Sequence, residues 1–126
     1  MNAKNNMRAQ EGEDVLLIIN YVKNEFKAHY EKFMHEVFFD ILLKSDNPNM
    51  QNQFSKTRWL TPKGQNKNTT WTYAFFMDPI VQGGDYNILN LLKLRYPEEV
   101  ANKLMQQYIS FMAANPYVQV LVQSKF

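Results

Sequence analysis

Hydrophobic positions along the chain follow two periods. Trp71, Tyr73, Phe75 and Met77 alternate with Thr70, Thr72, Ala74 and Phe76, the period of two that a pleated strand imposes, and aromatic and β-branched residues favour strands. A central strand is predicted over 69–77, stopped by Asp78-Pro79 because proline has no N–H to donate to a ladder. VLLIINYV, Val15 to Val22, is apolar on both faces and reads as a second buried strand. Its one polar interior residue, Asn20, shares a face with Leu16, Ile18 and Val22.

Between these strands the period changes to that of a helix. Phe26, Tyr30, Phe33, Met34, Val37, Phe38, Ile41 and Leu42 form a broad apolar stripe, so a helix is predicted from a cap at Asn24 to about Leu43. Ser45 to Asn52 is dense in turn residues and should end it. Phe54 to Leu60 mixes polar and apolar residues as an edge strand would. Pairing Leu60 with Thr69 would set Arg58 opposite Trp71; a one-residue slip would put Trp59 there instead. Beyond the Gly83-Gly84 turn, Asp85 is placed to cap a short helix over 86–94. Pro97, Glu98 and Glu99 open a longer one with Val100, Leu104, Tyr108, Ile109 and Met112 on its apolar stripe. Asn115-Pro116 ends it, and Tyr117 to Gln123 is a last strand.

Strand, helix, strand, strand, helix, strand is the order of an α+β, ferredoxin-like βαββαβ fold. Right-handed crossovers give a four-stranded antiparallel sheet with the first and third strands central and the helices on one face. Residues 15–126 are expected to form a single such domain behind a flexible tail, 1–14. Taking small sheet residues to lie beneath the helices puts Thr72, Ala74 and the valines of the last strand there. Trp71, Tyr73, Phe75, Met77 and Asn20 then point the opposite way, as an uncovered aromatic face. Such a face implies a partner, most simply a second copy.

The stretch TWTYAFFMDPIVQGGDYN, with this element order over 15–123, resembles the dimeric α+β barrel superfamily, near its antibiotic-biosynthesis monooxygenase-like group. The resemblance implies a face-to-face dimer with a cavity for small hydrophobic or aromatic molecules, often used without a cofactor. Its haem-degrading branch has an asparagine on the first strand, which Asn20 matches. Met77 stands where that branch has a tryptophan, and no histidine lies between Tyr86 and Ala114, so haem degradation is not expected.

Composition narrows the picture. In 126 residues, 45% hydrophobic, 21% charged and 14% aromatic, the chain has the balance of a globular domain with an aromatic-rich core or cavity. A net charge of +2 from scattered basic residues lacks the footprint of a nucleic-acid binder. With no cysteine, disulfides, thiolate metal sites and a cysteine nucleophile are excluded. The longest aliphatic run, Val15 to Ile19, is far shorter than the roughly 20 residues of a membrane span. No secretory core follows Met1. A cytoplasmic protein is expected, an expectation that a leader trimmed ahead of Met1 would alter.

Candidate chemistry is sparse. His29 and His35 lie on opposite flanks of one helix and cannot share a metal as an i, i+4 pair would; no metal and no cofactor is expected. Asp78 and Asp85 flank the glycine turn and read more readily as turn former and cap than as an acid/base pair. The candidate ligand-binding residues are Trp71, Tyr73, Phe75 and Met77 as apolar walls, with Asn20 and Arg58 as orienting polar groups. Two functional classes follow. The first is a dimeric small-molecule-binding or structural domain with an apolar, aromatic-lined cavity. The alternative is a cofactor-independent monooxygenase or isomerase acting on an aromatic or polyketide-like substrate. The missing base in the expected cavity ranks binding above catalysis.

Overall fold

The computed structural model describes residues 8–125. Strand β1 (Asp14–Val22) leads through a 3₁₀ turn (Asn24–Phe26) into α1 (Lys27–Phe33), a π-helical turn (Met34–Phe38) and α2 (Phe39–Lys44). Helix α3 (Pro48–Ser55) and strands β2 (Thr57–Leu60) and β3 (Trp71–Met77) follow, then α4 (Ile88–Lys93), α5 (Glu98–Ser110) and β4 (Tyr117–Val122). The sheet is antiparallel in the order β2-β3-β1-β4. With β1 and β3 central and the long helices packed on one face, this is the ferredoxin-like arrangement.

Helix α3 is the element the sequence reading missed. Asn47-Pro48 looks like a turn, yet Asn47 Oδ1 accepts from the amides of Asn49 and Met50 and Pro48 occupies the first helical turn. The proline's missing N–H is harmless there. Consequently β2 starts at Thr57, three residues later than Phe54 would suggest. Two expected caps are also displaced. Asn24 makes no cap bond, and its Oδ1 accepts from Trp71 Nε1 and Gln65 Nε2 instead. Asn87, rather than Asp85, caps α4 through Asn90 N, while Asp85 Oδ1 accepts from Asn87 N.

The segment expected to be a loose tail is tied down from Ala9 onward. Ala9 is buried, its N–H donates to Asp78 Oδ1 at 2.8 Å, and Gly12 N and Glu13 O bond the backbone of Gln123. Residues 1–7 of that tail lie outside the described residues. No helix among the described residues is long and apolar enough to cross a membrane.

Register settles which face is covered. Trp59 pairs with Phe75, Arg58 with Phe76 and Leu60 with Ala74, so neither expected register holds: Leu60 is opposite Ala74 rather than Thr69, and Trp59, not Arg58, shares the face of Tyr73. Asn20 pairs with Tyr73, Ile18 with Phe75 and Leu16 with Met77. This row lies beneath the helices, in one core cluster with Tyr30, Phe33, Phe38 and Tyr108. The size-based expectation is therefore inverted for Thr72, Ala74 and the aromatic row, while the valines of β4 do fall on the helix side. The helices meet the large aromatic row with rings of their own, Tyr30 against Tyr73 at 4.6 Å between centroids and Phe38 against Phe75 at 6.0 Å. Each such ring removes ~150–250 Å² from water, about 4–6 kcal/mol as an upper figure. Meshing large rings stabilises more than close approach over Thr72 and Ala74 would.

The other face, with Leu17, Ile19, Tyr21, Ala74 and Phe76, has no helix over it among the described residues. Polar groups occupy its ends: Asn66 Nδ2 donates to Thr70 and Thr72 hydroxyls, and Arg58 pairs with Asp78 at 2.6 Å. Strand β4 is uncovered on both sides. Val118 and Val120, which pair with Ile18 and Leu16, are 56% and 53% exposed, and Leu121 on the other side is 46% exposed.

Candidate functional site

A polar group deep under the helices begins the site. Asn20 is 1% exposed, and its Nδ2 donates to the Tyr108 hydroxyl at 2.9 Å and the Tyr30 hydroxyl at 3.3 Å. β1 sets the amide at the sheet centre, while α1 and α5 each deliver a tyrosine from an apolar stripe. A buried phenol is stable there only because its polar tip finds a partner. Asn20 Oδ1 remains buried without a hydrogen-bond partner among the described residues. Burial pushes the Tyr30 hydroxyl pKa up, an effect that the Asn20 bond partly offsets. The Tyr108 pKa is pushed well up by burial and by the neighbouring Tyr30.

Beside this triad runs a second polar chain that reaches the surface. The fully buried Tyr73 donates its hydroxyl to Glu31 Oε2 at 2.5 Å, and Lys27 bonds the same oxygen at 3.0 Å. The bond from Tyr73 holds the Glu31 carboxyl below its ordinary pKa. Burial, then the bond to Glu31, keeps Tyr73 protonated well past the usual phenol range. Lys27 Nζ also sits 4.9 Å above the Trp71 ring, so Trp71 closes the outer end of this chain. Trp59 stacks on Tyr73 at 5.7 Å between centroids. Its Nε1 lies close enough to lower the Tyr30 pKa, yet has no partner of hydrogen-bond geometry among the described residues.

A cavity of about 50 Å³ adjoins the triad, between sheet and helices. Ile18, Phe75 and Met77 form its sheet side and Tyr108 its inner polar point. Phe39, Phe54 and Thr57 bound it toward the β2 edge, and Gln53 and Tyr86 toward the loop after β3. That loop is pinned over the cavity. Gln53 Nε2 donates to Asp85 O at 2.6 Å, and a Cβ on Gly84 would meet Gln53 Oε1 at 2.8 Å and Val81 O at 3.0 Å. Gly83, at φ +78°, supplies the left-handed turn that glycine tolerates.

The residues proposed from sequence thus divide. Asn20, Tyr73, Phe75 and Met77 come together under the helices, so the cavity lies on the helix side rather than on the face opposite the helices. Trp71 stands at the end of the same row. Arg58 is on the other face, bonded to Asp78 and 4.9 Å above the Phe76 ring, and does not reach the cavity. Asp78 is buried in that pairing. His29 and His35 are exposed; His29 lies against Phe26 and Phe111, and His35 against Trp59 and Phe39. Sequence reasoning missed Tyr30, Tyr108 and Gln53, and had Trp59 only as the alternative to Arg58. The available signal was two tyrosines on apolar helix stripes facing a strand with one buried amide.

No family model matches the chain and no curated protein matches it. Among solved structures, a protein of Caulobacter crescentus CB15 provisionally assigned as an antibiotic biosynthesis monooxygenase is similar over 90% of this chain and 91% of its own, at 14% identity and a TM-score of 0.44.

Proposed function

We propose that the protein binds a small, largely apolar molecule in the cavity between sheet and helices, and does so as a homodimer whose uncovered sheet faces and β4 strands shield one another. The observation that carries the reading is the cavity itself, an apolar space of about 50 Å³ with the Tyr108 hydroxyl as its inner polar point. It exceeds the ~10–15 Å³ that one water needs and falls short of the ~150 Å³ of an engineered cavity that takes benzene. A molecule of the size of 2-butanone or a single ring therefore enters once Phe39 or Phe54 swings aside.

Catalysis by a cofactor-independent monooxygenase or isomerase ranks second. Among the described residues, the side chains around the cavity include no carboxylate and no imidazole, and burial raises the pKa of both phenols there, Tyr86 and Tyr108. Abstracting a substrate proton near neutral pH therefore lacks a poised base. The walls Phe75 and Met77 serve binding in this reading, and the amide of Asn20 behind them holds the Tyr108 hydroxyl in place.

Titrating 2-butanone and phenol into protein carrying ¹³C-methyl methionine tests it. Saturable shifts at Met77 are expected, with Met112, which bridges Val22 at the far end of β1, unmoved. Shifts that rise linearly at every methionine would contradict a defined site.

A further inference from the structure

The polar groups around the cavity differ in what they still have to give. Tyr108 marks its inner end, and the Tyr108 oxygen accepts from Asn20 Nδ2 at 2.9 Å. The same nitrogen donates to the Tyr30 hydroxyl at 3.3 Å, so both hydrogens of the Asn20 amide end on phenol oxygens. Each phenol then has one hydrogen of its own to place. Tyr30 is fully buried and does not line the cavity. Its oxygen already faces the Asn20 amide and, beyond hydrogen-bond geometry, Trp59 Nε1. A buried hydroxyl hydrogen without an acceptor is costly, and the neighbouring Tyr108 oxygen is the acceptor within reach of Tyr30. With Asn20 and Tyr30 both donating to it, Tyr108 has no lone pair left to offer and one O–H on the cavity side.

The reverse orientation of the Asn20 amide would give its oxygen both phenol hydrogens, but would bury two N–H bonds with nothing to receive them. The orientation observed strands a single oxygen, Asn20 Oδ1. Asn20 stands behind Tyr108 and does not itself line the cavity, so that oxygen is not presented to a ligand.

The rest of the lining leaves the inner end to Tyr108. Thr57 has spent its hydrogen on Gln53 O at 2.8 Å, and it stands at the β2 edge, where it also borders an outer groove. Gln53 is turned to the loop after β3, with Nε2 on Asp85 O. No lysine, arginine or histidine is among the described residues around the cavity, so an anion there would be buried without a countercharge.

We propose that the cavity selects a neutral carbonyl compound, a ketone or aldehyde whose oxygen accepts the Tyr108 hydrogen at the inner end while its carbon skeleton fills the apolar space. An alcohol of the same skeleton brings a hydrogen that finds no acceptor there, and a carboxylate brings an unpaired charge. Asn20 is the positioning residue, because giving both its hydrogens to the phenols is what leaves Tyr108 a donor. The inference rests on the ligand-binding reading above and adds the chemical class of the ligand and its anchor.

Three probes of nearly the same shape isolate the anchor: 2-butanone, 2-butanol, and 2-methyl-1-butene, in which a methylene replaces the carbonyl oxygen. Each is titrated into wild type and Tyr108→Phe and read at the ¹³C-methyl of Met77, which lines the cavity. In wild type, 2-butanol is expected to bind at least tenfold more weakly than 2-butanone. Tyr108→Phe should weaken 2-butanone about tenfold and leave 2-methyl-1-butene bound at least as tightly as in wild type, which also shows that the variant keeps its cavity. Equal affinities for ketone and alcohol in wild type, or a tighter alcohol, overturn the donor end and leave the cavity standing, with no variant needed. Undiminished 2-butanone affinity in Tyr108→Phe overturns the anchor. Saturation of wild type by none of the three overturns this inference together with the ligand-binding reading.

Discussion

The two faces of the sheet are built from the same strands by alternation, yet they solve different problems. Under the helices, Asn20, Tyr73, Phe75 and Met77 are at most 5% exposed, and aromatic rings and two tyrosine hydroxyls from the helices meet them. On the open face, Leu17, Ile19 and Phe76 remain half-buried, with polar clusters only at the ends. One face is finished within the chain and holds a cavity. The other, together with β4, leaves apolar side chains partly open to solvent within one chain. The contrast shows that aromatic bulk on a strand does not by itself mark the uncovered side. What matters is whether the helices bring matching rings and a partner for the one buried amide.

Breaking the covered face should have the largest effect. Asn20→Ala leaves the Tyr30 and Tyr108 hydroxyls without their donor and opens a void, and should cost about 3 kcal/mol in urea denaturation. Asn20→Asp should be at least as damaging, because an isolated carboxylate would then be buried.

Tyr73→Phe removes one bond to a carboxylate that is itself 36% exposed, so solvent screening limits the loss to about 1 kcal/mol at pH 7. The effect should depend on pH with a definite sign. Glu31 has a lowered folded-state pKa, so its contribution is present above the unfolded carboxylate value and is lost as pH falls through the folded one. The stability gap between wild type and Tyr73→Phe should therefore be full at pH 6–7 and close below about pH 4. A gap unchanged down to pH 2 would contradict the Tyr73–Glu31 linkage.

On the open face the expected effects are smaller. Arg58→Ala removes the half-exposed partner of buried Asp78, which keeps its bond from Ala9, and should cost about 1 kcal/mol or less. Ligand affinity should stay unchanged, which separates Arg58 from the cavity. Val120→Lys should alter the stability of the isolated monomer by no more than ~0.5 kcal/mol, since the side chain is 53% exposed within one chain. Its effect belongs to association, read by sedimentation.

Much of the architecture was legible in the residues. The alternation at Trp71 to Met77 and the helical stripe from Phe26 to Leu42 gave the central strands, the helix and hence the ferredoxin-like order. Three things were not legible. Asn47-Pro48 serves a helix start as well as a turn, and only the residues that follow, packed through Met50 and Gln53, decide between them. A period of two fixes which residues share a face, but not which face the helices choose; that choice followed from pairing Asn20 with Tyr30 and Tyr108, contacts of 10 and 88 residues' separation. The four-residue β2 was too short for its pattern to fix a register, so Arg58 and Trp59 exchanged roles. Of the six candidate residues, the five on the two central strands share one face because alternation fixes it, and Phe75 and Met77 among them line the cavity. Arg58 was misplaced because its face depends on a turn whose length the sequence did not determine.

Ile18 and Ile19 are consecutive on β1 and face opposite sides, one lining the cavity and the other on the open face. Isoleucine-methyl NMR of the wild-type protein, titrated with 2-butanone, reads both faces in one experiment. The account predicts a saturable shift at Ile18 on adding 2-butanone and none at Ile19, while dilution of the ligand-free protein moves Ile19. A saturable shift at Ile19 with Ile18 unmoved would place the ligand on the open face and contradict the account.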